Sequence, residues 1–146
     1  MLMGRDLCGL PVFSLREGAY IGRVADYFVD GLSKSLDGIV LGRTFATKKM
    51  LYIPAAAIRR VYRDGVIVTT RDALERRRFI GGDAVSYQDF ADDSGIVLAE
   101  GEIVSDIVFD DALFIRGYEI SGGLWHDLVC GRGFRRRPFA PRRITK

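Results

Sequence analysis

The chain has 146 residues, 48% of them hydrophobic and 28% charged, which is ordinary for a soluble globular protein. No apolar run approaches the roughly 20 residues of a membrane-spanning helix, and Arg5 and Asp6 stand where a signal peptide would be apolar. Two cysteines, Cys8 and Cys130, are too few for a disulfide framework. We therefore expect a cytoplasmic protein.

The net charge of +3 conceals a strong asymmetry along the chain. Residues 1–131 hold 15 basic and 19 acidic residues, a net charge of −4. The basic character of the protein is thus a property of its last 15 residues. That segment has seven basic residues and no acidic ones: Arg132, Arg135, Arg136, Arg137, Arg142, Arg143 and Lys146.

Short β-prone runs separated by turn residues dominate the first half. The pair Asp64-Gly65 predicts a hairpin with a type I′ turn, because both central residues of that turn need φ > 0. Ala55 to Ala57 is predicted as one helical turn, and residues 18–22 as a turn. The predicted strands are 11–14, 23–30, 36–41, 50–53, 58–63 and 66–70.

The second half begins with fewer and weaker β signals. A short helix is predicted over 72–79, inside a connector. The predicted strands that follow are 84–88, 103–110 and 114–121, with a turn over 89–95. A short helix over 124–130 is then indicated by Leu124 and Leu128 at a spacing of four, with Ser121 as N-cap and Gly131 as terminator.

A seven-residue phrase, Val-x-Asp-x-x-x-Asp, occurs at 24–30 and again 80 residues later at 104–110. A repeat of this kind predicts a duplicated β module, and modules of about 70 residues are marginal alone. We expect them to pack on each other, on a second copy or on a partner. The predicted organisation is module 1 (5–74), connector (75–83), shortened module 2 (84–131) and basic tail (132–146).

The glycine and aspartate motifs resemble the PRC-barrel family, over roughly residues 9–132. That family includes the cytoplasmic domain of the photosynthetic reaction-centre H subunit and the C-terminal domain of the bacterial ribosome maturation factor. The resemblance implies an all-β fold of two tandem, small PRC-type β-barrels with a short helix near the C-terminus, and it supplies no catalytic residues. The motifs that carry it are Gly9 to Val12, Gly22 to Asp26, Asp30, Gly38 to Val40, Ile53-Pro54, Ile58, Gly101 to Asp110 and Gly117 to Ser121.

The repeated aspartates, Asp26 and Asp106, are the first candidates for chemistry. We interpret them as acceptors for backbone N–H groups at turns, since a catalytic residue rarely recurs in every structural repeat. The cluster of Asp89, Asp92 and Asp93 lacks the ligand spacing of a calcium loop and is interpreted as a solvated turn. We expect no metal, no cofactor and no small-molecule substrate.

The predicted helix over 124–130 is the first candidate for partner binding. Leu124, Trp125 and Leu128 are the residues singled out, because tryptophan is enriched at interface anchors. Two interpretations remain open: the helix forms a contact face, or it closes the open end of the second barrel. Both hold if the helix contacts the second subunit of a dimer.

The basic tail is the second candidate for binding. Its arginines Arg132, Arg135, Arg136, Arg137, Arg142 and Arg143 are interleaved with Phe134 and Phe139, a pattern that fits stacking on unpaired RNA bases. An anionic membrane surface and a plain solubilising role remain open as alternatives.

The sequence as a whole favours a non-catalytic interaction or assembly module that binds a protein partner or a second copy. The leading hypothesis is an adaptor in RNA or ribosome metabolism. The alternative is a membrane-peripheral assembly factor that binds anionic surfaces through its arginine tail.

Overall fold

The computed structural model describes residues 2–43, 48–92, 96–97, 104–120 and 142–143. Most of these residues lie in β-strands, which confirms the predicted all-β class. Helical structure in the described ranges is limited to two short α-helices and to 3-10 turns at Ala55–Ala57 and Arg71–Ala73. The turn predicted at 55–57 is therefore confirmed.

The elements follow one another with short connections. In the first half they are β1 (Leu2–Met3), α1 (Gly4–Leu7), β2 (Pro11–Ser14), β3 (Ala19–Arg23), β4 (Asp26–Asp30), β5 (Ser35–Arg43), β6 (Met50–Pro54), β7 (Ile58–Tyr62), β8 (Gly65–Val68) and β9 (Glu75–Arg77). In the second half they are β10 (Ala84–Ser86), α2 (Tyr87–Asp92), β11 (Ile96–Val97), β12 (Val104–Phe109), β13 (Ile115–Ile120) and β14 (Arg142–Arg143).

The described strands form sheets in the orders β3-β2-β8-β7, β10-β4-β5-β6-β9 and β1-β12-β13, with β11 and β14 as a separate pair. The β2–β8 pairing is parallel and the other pairings are antiparallel. Among the described strands these sheets are open, and their hydrogen bonds do not close a cylinder. Two of them meet where the Ile115 amide donates to the carbonyl of Lys34 at 2.7 Å.

The hairpin predicted at Asp64-Gly65 is present, but its predicted turn type is wrong. Tyr62 pairs with Gly65, so Arg63 and Asp64 form the two-residue loop and Gly65 begins β8. Neither Asp64 nor Gly65 has a positive φ. A Cβ at Gly65 would stand 3.4 Å from the ring of Phe13, an ordinary van der Waals contact, so neither φ nor space requires glycine there.

Three other predictions for local structure need correction. The turn predicted at 18–22 lies earlier, and Ala19–Arg23 is strand β3, because Gly18 already supplies the positive φ that reverses the chain. The helix predicted over 72–79 is a 3-10 turn followed by β9, which pairs with β6. The predicted turn at 89–95 begins instead as helix α2, whose Asp89 amide donates to Ser86 Oγ at 3.0 Å.

The two halves of the chain exchange their first strand and helix. Strand β1, which precedes α1 in the first half, pairs with β12 of the second half. Strand β10, which precedes α2 in the second half, pairs with β4 of the first half. The registers correspond, since β4 and β12 carry the two copies of the repeated phrase. The pairs are Leu2 with Phe109 and Met3 with Val108 on one side, and Val85 with Val29 and Ser86 with Phe28 on the other.

The hydrophobic core contains residues from both halves. Leu7, Tyr27 and Ile39 from the first half pack in one cluster with Ile107 and Phe109 from the second. All five are at most 1% exposed. Burial of this kind is the main favourable term in folding, so the described parts of the two predicted modules stabilise each other.

Candidate functional site

The first repeated aspartates cap the exchanged helices. Asp26 Oδ1 accepts the amides of Tyr27 at 2.8 Å and of Gln88, in α2, at 3.0 Å. Asp106 Oδ1 accepts the amide of Ile107 at 2.8 Å, and Asp106 Oδ2 accepts the amide of Arg5, in α1, at 3.1 Å. The interpretation of these aspartates as backbone acceptors is confirmed.

The second repeated aspartates hold the hairpin turns that follow the phrase. Asp30 Oδ1 accepts the amide of Leu32 at 2.9 Å, and this hydrogen bond is the main cause that lowers the pKa of Asp30. Asp110 Oδ1 accepts the amides of Ala112 at 2.9 Å and Phe114 at 3.0 Å. Each copy of the phrase therefore begins with a helix cap and ends with a turn.

Asp106 also anchors a buried polar network. The Tyr87 hydroxyl donates to Asp106 Oδ1 at 2.8 Å, and the Arg5 guanidinium contacts both Asp106 at 3.2 Å and Glu119 at 3.1 Å. Burial raises the pKa of Asp106, and the hydrogen bonds from Arg5 and Tyr87 oppose that rise. Beside this network, the Tyr27 hydroxyl donates to the carbonyl of Gly4 at 3.0 Å. The described donors and acceptors of the network serve to join the two halves.

The residues predicted to bind partners cannot be placed in this geometry. Leu124, Trp125 and Leu128 lie outside the described residues, and so do Arg132, Arg135, Arg136 and Arg137. The backbone of Arg142 and Arg143 is described, and it pairs antiparallel with Val97 and Ile96. The role of this part of the tail in binding stays a prediction.

A groove of about 840 Å³ lies between β7 and the turn 110–114 that joins β12 to β13, and we call it the β7 groove. Leu2, Leu36 and Ala55 contribute apolar lining, and the rims carry charged and aromatic side chains. Tyr62 on one rim and Phe114 on the other are each 48% exposed. A volume of this size lies within the range of ligand and peptide sites in proteins.

β7 brings the outer edge of its sheet to the groove. Because β7 stands last in the order β3-β2-β8-β7, one of its two sides has no described neighbouring strand. Tyr62 and Gly65 close a two-residue loop and therefore exchange both of their backbone hydrogen bonds. The next pair, Val61 with Val66, is then a non-hydrogen-bonded pair, so the N–H and C=O of Val61 point away from β8.

Arginines and tyrosine line the β7 wall. Arg59, Arg60 and Arg63 are exposed and line the groove, and none of them forms an ion pair with another described residue. The Arg60 guanidinium stands over the Tyr62 ring, 5.3 Å from its centroid. The opposite wall carries Asp111, which is exposed. The groove thus offers cations, an apolar base and unpaired backbone groups, which suits a polypeptide.

A metal centre receives no support from the described residues. No three His, Cys, Asp or Glu side chains among them are grouped to hold a metal ion. Asp89 lies in the first turn of α2, where its backbone amide donates a hydrogen bond to Ser86 Oγ. Asp93 is outside the described ranges. The Cys8 thiol has a pKa raised to about 11 by burial and by the nearby carboxylates Asp26 and Asp106, which keeps it protonated at neutral pH.

A comparison with family models assigns the chain. The PRC-barrel domain model matches residues 1–75, just over half of the 146 residues. The chain belongs to the PRC-barrel domain family. The matched range contains β1 to β8 and ends at the first residue of β9, so the β7 wall of the groove lies in the PRC-barrel domain and the turn 110–114 lies beyond the match.

A search of curated proteins found no match to this PRC-barrel protein. Within the part of the chain that the structure describes, no helix combines the length and apolar character needed to cross a bilayer.

The sequence interpretation missed the β7 groove. It assigned residues 58–63 to a strand but gave no role to Arg59, Arg60 and Arg63. The walls of the groove come from residues about 50 positions apart, and nothing in the local pattern indicates that they meet. The one available signal was three arginines beside a predicted hairpin, since charged side chains are typical of edge strands.

Proposed function

We propose that this PRC-barrel protein is a non-catalytic interaction and assembly module of the cytoplasm, and that its partner-binding surface is the β7 groove. The observation that carries the proposal is the open edge of β7, which borders an apolar groove with exposed Tyr62 and Phe114 on its rims. Aromatic residues and arginines are the side chains most enriched in protein–protein interfaces.

We further propose that the protein contains two related units in tandem, each a PRC-type barrel. Two observations support this: the phrase that recurs at 24–30 and 104–110, and the equivalent bonds that Asp26 and Asp106 make to the exchanged helices. In this proposal the exchanged strands join the two units into one binding module. A partner at the β7 groove then contacts both units at once, through β7 and the turn 110–114.

Affinity capture with charge-reversal variants tests the assignment of the surface. The full chain is used as bait, captured proteins are cross-linked, and their contact sites are identified by mass spectrometry. We expect cross-links near β7, and we expect Arg60→Glu with Arg63→Glu to reduce capture of the same partner. Arg16→Glu is the matched control, since Arg16 is exposed and does not line the groove.

Two results would contradict the proposal. In the first, the groove variant and the Arg16→Glu control capture equal amounts of a cross-linked partner. In the second, all cross-links map away from β7. Circular dichroism and thermal unfolding of each variant show whether a loss of capture reflects a loss of the fold.

For the tail we propose a role in RNA or ribosome metabolism. Its seven basic residues, without an acidic one, are interleaved with Phe134 and Phe139, and such segments bind nucleic acid through phosphate contacts and stacking. We expect the full chain to cosediment with RNA or ribosomal particles in low salt, and deletion of residues 132–146 to weaken this; unchanged cosedimentation of the deletion variant would contradict the role of the tail. Flotation with anionic vesicles, absent with neutral ones, would instead favour the membrane-peripheral alternative.

A further inference from the structure

We infer that the β7 groove binds an extended, acidic segment of a partner protein, which adds to the sheet as a strand beside β7. This inference rests on the proposed function and specifies the chemistry of the partner. It is argued from the backbone of β7, from the charges on its side chains and from the composition of the two walls.

The backbone of β7 presents the groups that strand addition needs. The N–H and C=O of Val61 point away from β8, and the described residues provide no partner for them. An extended peptide placed along this edge would pair with these groups as one strand pairs with the next. Strand addition to an exposed sheet edge is a recurring mode of peptide recognition, in which main-chain hydrogen bonds supply much of the affinity.

The side chains of β7 select for acidic residues in that strand. Arg60 and Tyr62 are two positions apart, so they lie on the same face, as their contact at 5.3 Å confirms. Arg63 follows in the loop and is exposed. Carboxylates on the facing positions of an added strand would lie opposite these guanidinium groups, and cross-strand pairs of opposite charge are stabilising.

The base of the groove selects for apolar residues at the alternate positions. Leu36 is 4% exposed, while Leu2, Ala55 and Val61 are half-buried and line the groove beside it. Because side chains of a strand alternate between faces, an added strand with acidic and apolar residues in turn satisfies both the arginines and the base. The preferred ligand is therefore an alternating acidic and apolar segment.

Two rival occupants fit the groove less well. Symmetric pairing of β7 with β7 of a second copy would bring the arginines at 59, 60 and 63 of one copy close to those of the other, and like charges across a strand pair are destabilising. A nucleic acid would place phosphates near Asp111 on the opposite wall and would leave the outward backbone groups of Val61 without a strand partner. An acidic peptide shares the proximity to Asp111 with a nucleic acid, but it avoids the like-charge pairing of two copies and provides a strand partner for Val61.

Binding of synthetic peptides to the full chain tests the inference. The probe is a blocked, fluorescently labelled peptide in which glutamate and valine alternate. Its length is about six residues, which is the usual length of a strand. The matched control alternates lysine and valine. A third peptide is the glutamate probe with N-methyl groups on alternate amides, which removes the hydrogen-bond donors of one edge. We expect fluorescence anisotropy to detect binding of the first peptide alone.

Variants of the protein locate the binding. We expect Arg60→Glu with Arg63→Glu to weaken binding of the glutamate probe about tenfold or more, and Arg16→Glu to leave it within about twofold. Val61→Pro removes the outward N–H while sparing the ladder to β8, as proline is tolerated on edge strands, and we expect it to weaken binding as well. Thermal unfolding verifies that each variant folds.

Several outcomes would overturn the inference. The N-methylated probe or the lysine probe could bind as tightly as the glutamate probe. A single-stranded oligonucleotide could bind more tightly than the glutamate probe, with that binding abolished by the arginine variants. The protein could also form a concentration-dependent dimer that the arginine variants dissociate. If the peptides fail while the arginine variants still reduce capture of a cross-linked partner, only the strand-addition mode is wrong and the proposed function stands.

Discussion

The rings of Tyr27 and Tyr87 stack with their centroids 4.8 Å apart and their planes 18° from parallel. Tyr27 belongs to the first half of the chain and Tyr87 to the second, so the stack lies at the junction of the two. Both hydroxyls are used there, by the carbonyl of Gly4 and by Asp106. Burial raises the pKa of each phenol, and both therefore stay neutral donors at physiological pH. The junction is the part of the molecule where small changes have the largest predicted effects.

Gly4→Ala is expected to destabilise the protein by about 2 kcal/mol. A Cβ at this position would stand 2.5 Å from Asp106 Oδ1 and 2.7 Å from the Tyr27 hydroxyl, so the junction would have to shift. Urea unfolding measures the change in the free energy of unfolding. Gly81→Ala is the control, because a Cβ there meets nothing within 4 Å, and it should change stability by less than about 0.5 kcal/mol. Equal effects of the two variants would contradict the packing argument.

Asp106→Asn is expected to reduce the free energy of unfolding by about 2 kcal/mol. Both carboxylate oxygens of Asp106 accept hydrogen bonds, and an asparagine would direct an NH₂ group at donors on one side. Asp64→Asn is the control, because Asp64 is exposed in the loop before β8, and it should change stability by less than about 0.5 kcal/mol. Denaturant unfolding measures the free energy of unfolding of both variants, and equal losses would contradict the importance of the hydrogen bonds to Asp106.

Glu17 makes the stability depend on pH in the acid range. Hydrogen bonds from the Ser14 hydroxyl, the Arg71 amide and the Thr70 hydroxyl lower the pKa of Glu17 to about 2. A carboxyl whose pKa is lowered by folding stabilises the folded state above its unfolded pKa of about 4.3, and this contribution is lost as the pH falls toward 2. We expect Glu17→Gln to flatten the decline of stability between these pH values. Carbon-detected NMR titration measures the pKa of Glu17 directly, and a midpoint near 4.3 would contradict the lowered pKa.

The Cys8 thiol is expected to react slowly with alkylating reagents. With a pKa of about 11, about one thiol in a thousand is ionised at pH 8, and the thiolate is the reactive form. In a Cys130→Ser variant, which leaves Cys8 as the single cysteine, alkylation by iodoacetamide should accelerate about tenfold per pH unit from pH 8 toward pH 11. A rate at pH 8 equal to that of free cysteine would show that Cys8 is not in the described environment.

Local pattern was sufficient to predict much of the fold. The strand at residues 11–14 and the presence of a hairpin near Asp64 were predicted, because alternation and turn residues act over a few positions, although the loop of the hairpin lies one residue earlier than predicted. The role of Asp26 and Asp106 also followed, since short polar side chains commonly accept backbone amides. The helix α2 was missed because it has only six residues, and one of its two capping side chains, Asp26, is 62 residues from Gln88 in sequence.

The candidate site was less predictable than the strands. A two-residue strand such as Leu2–Met3 has no pattern of its own, and its pairing with β12 depends on tertiary contacts. The β7 groove exists only because the turn 110–114 meets β7 across that arrangement. Sequence-based interpretation therefore favoured the conspicuous arginine tail, whereas the described geometry brings Arg59, Arg60 and Arg63 to a groove.

The exchange of the first strand and helix also sets the order in which the protein is completed during synthesis. The hydrogen bond from the amide of Arg5 to Asp106 cannot form until Asp106 is added, 101 residues later. At about 5–20 residues per second, translation separates the two by roughly 5 to 20 seconds. Throughout that interval β1 and the first turn of α1 lack the partners in β12 that they have in the folded protein. The contacts that β1 and α1 make with β12 thus form late, although β1 and α1 are synthesised first.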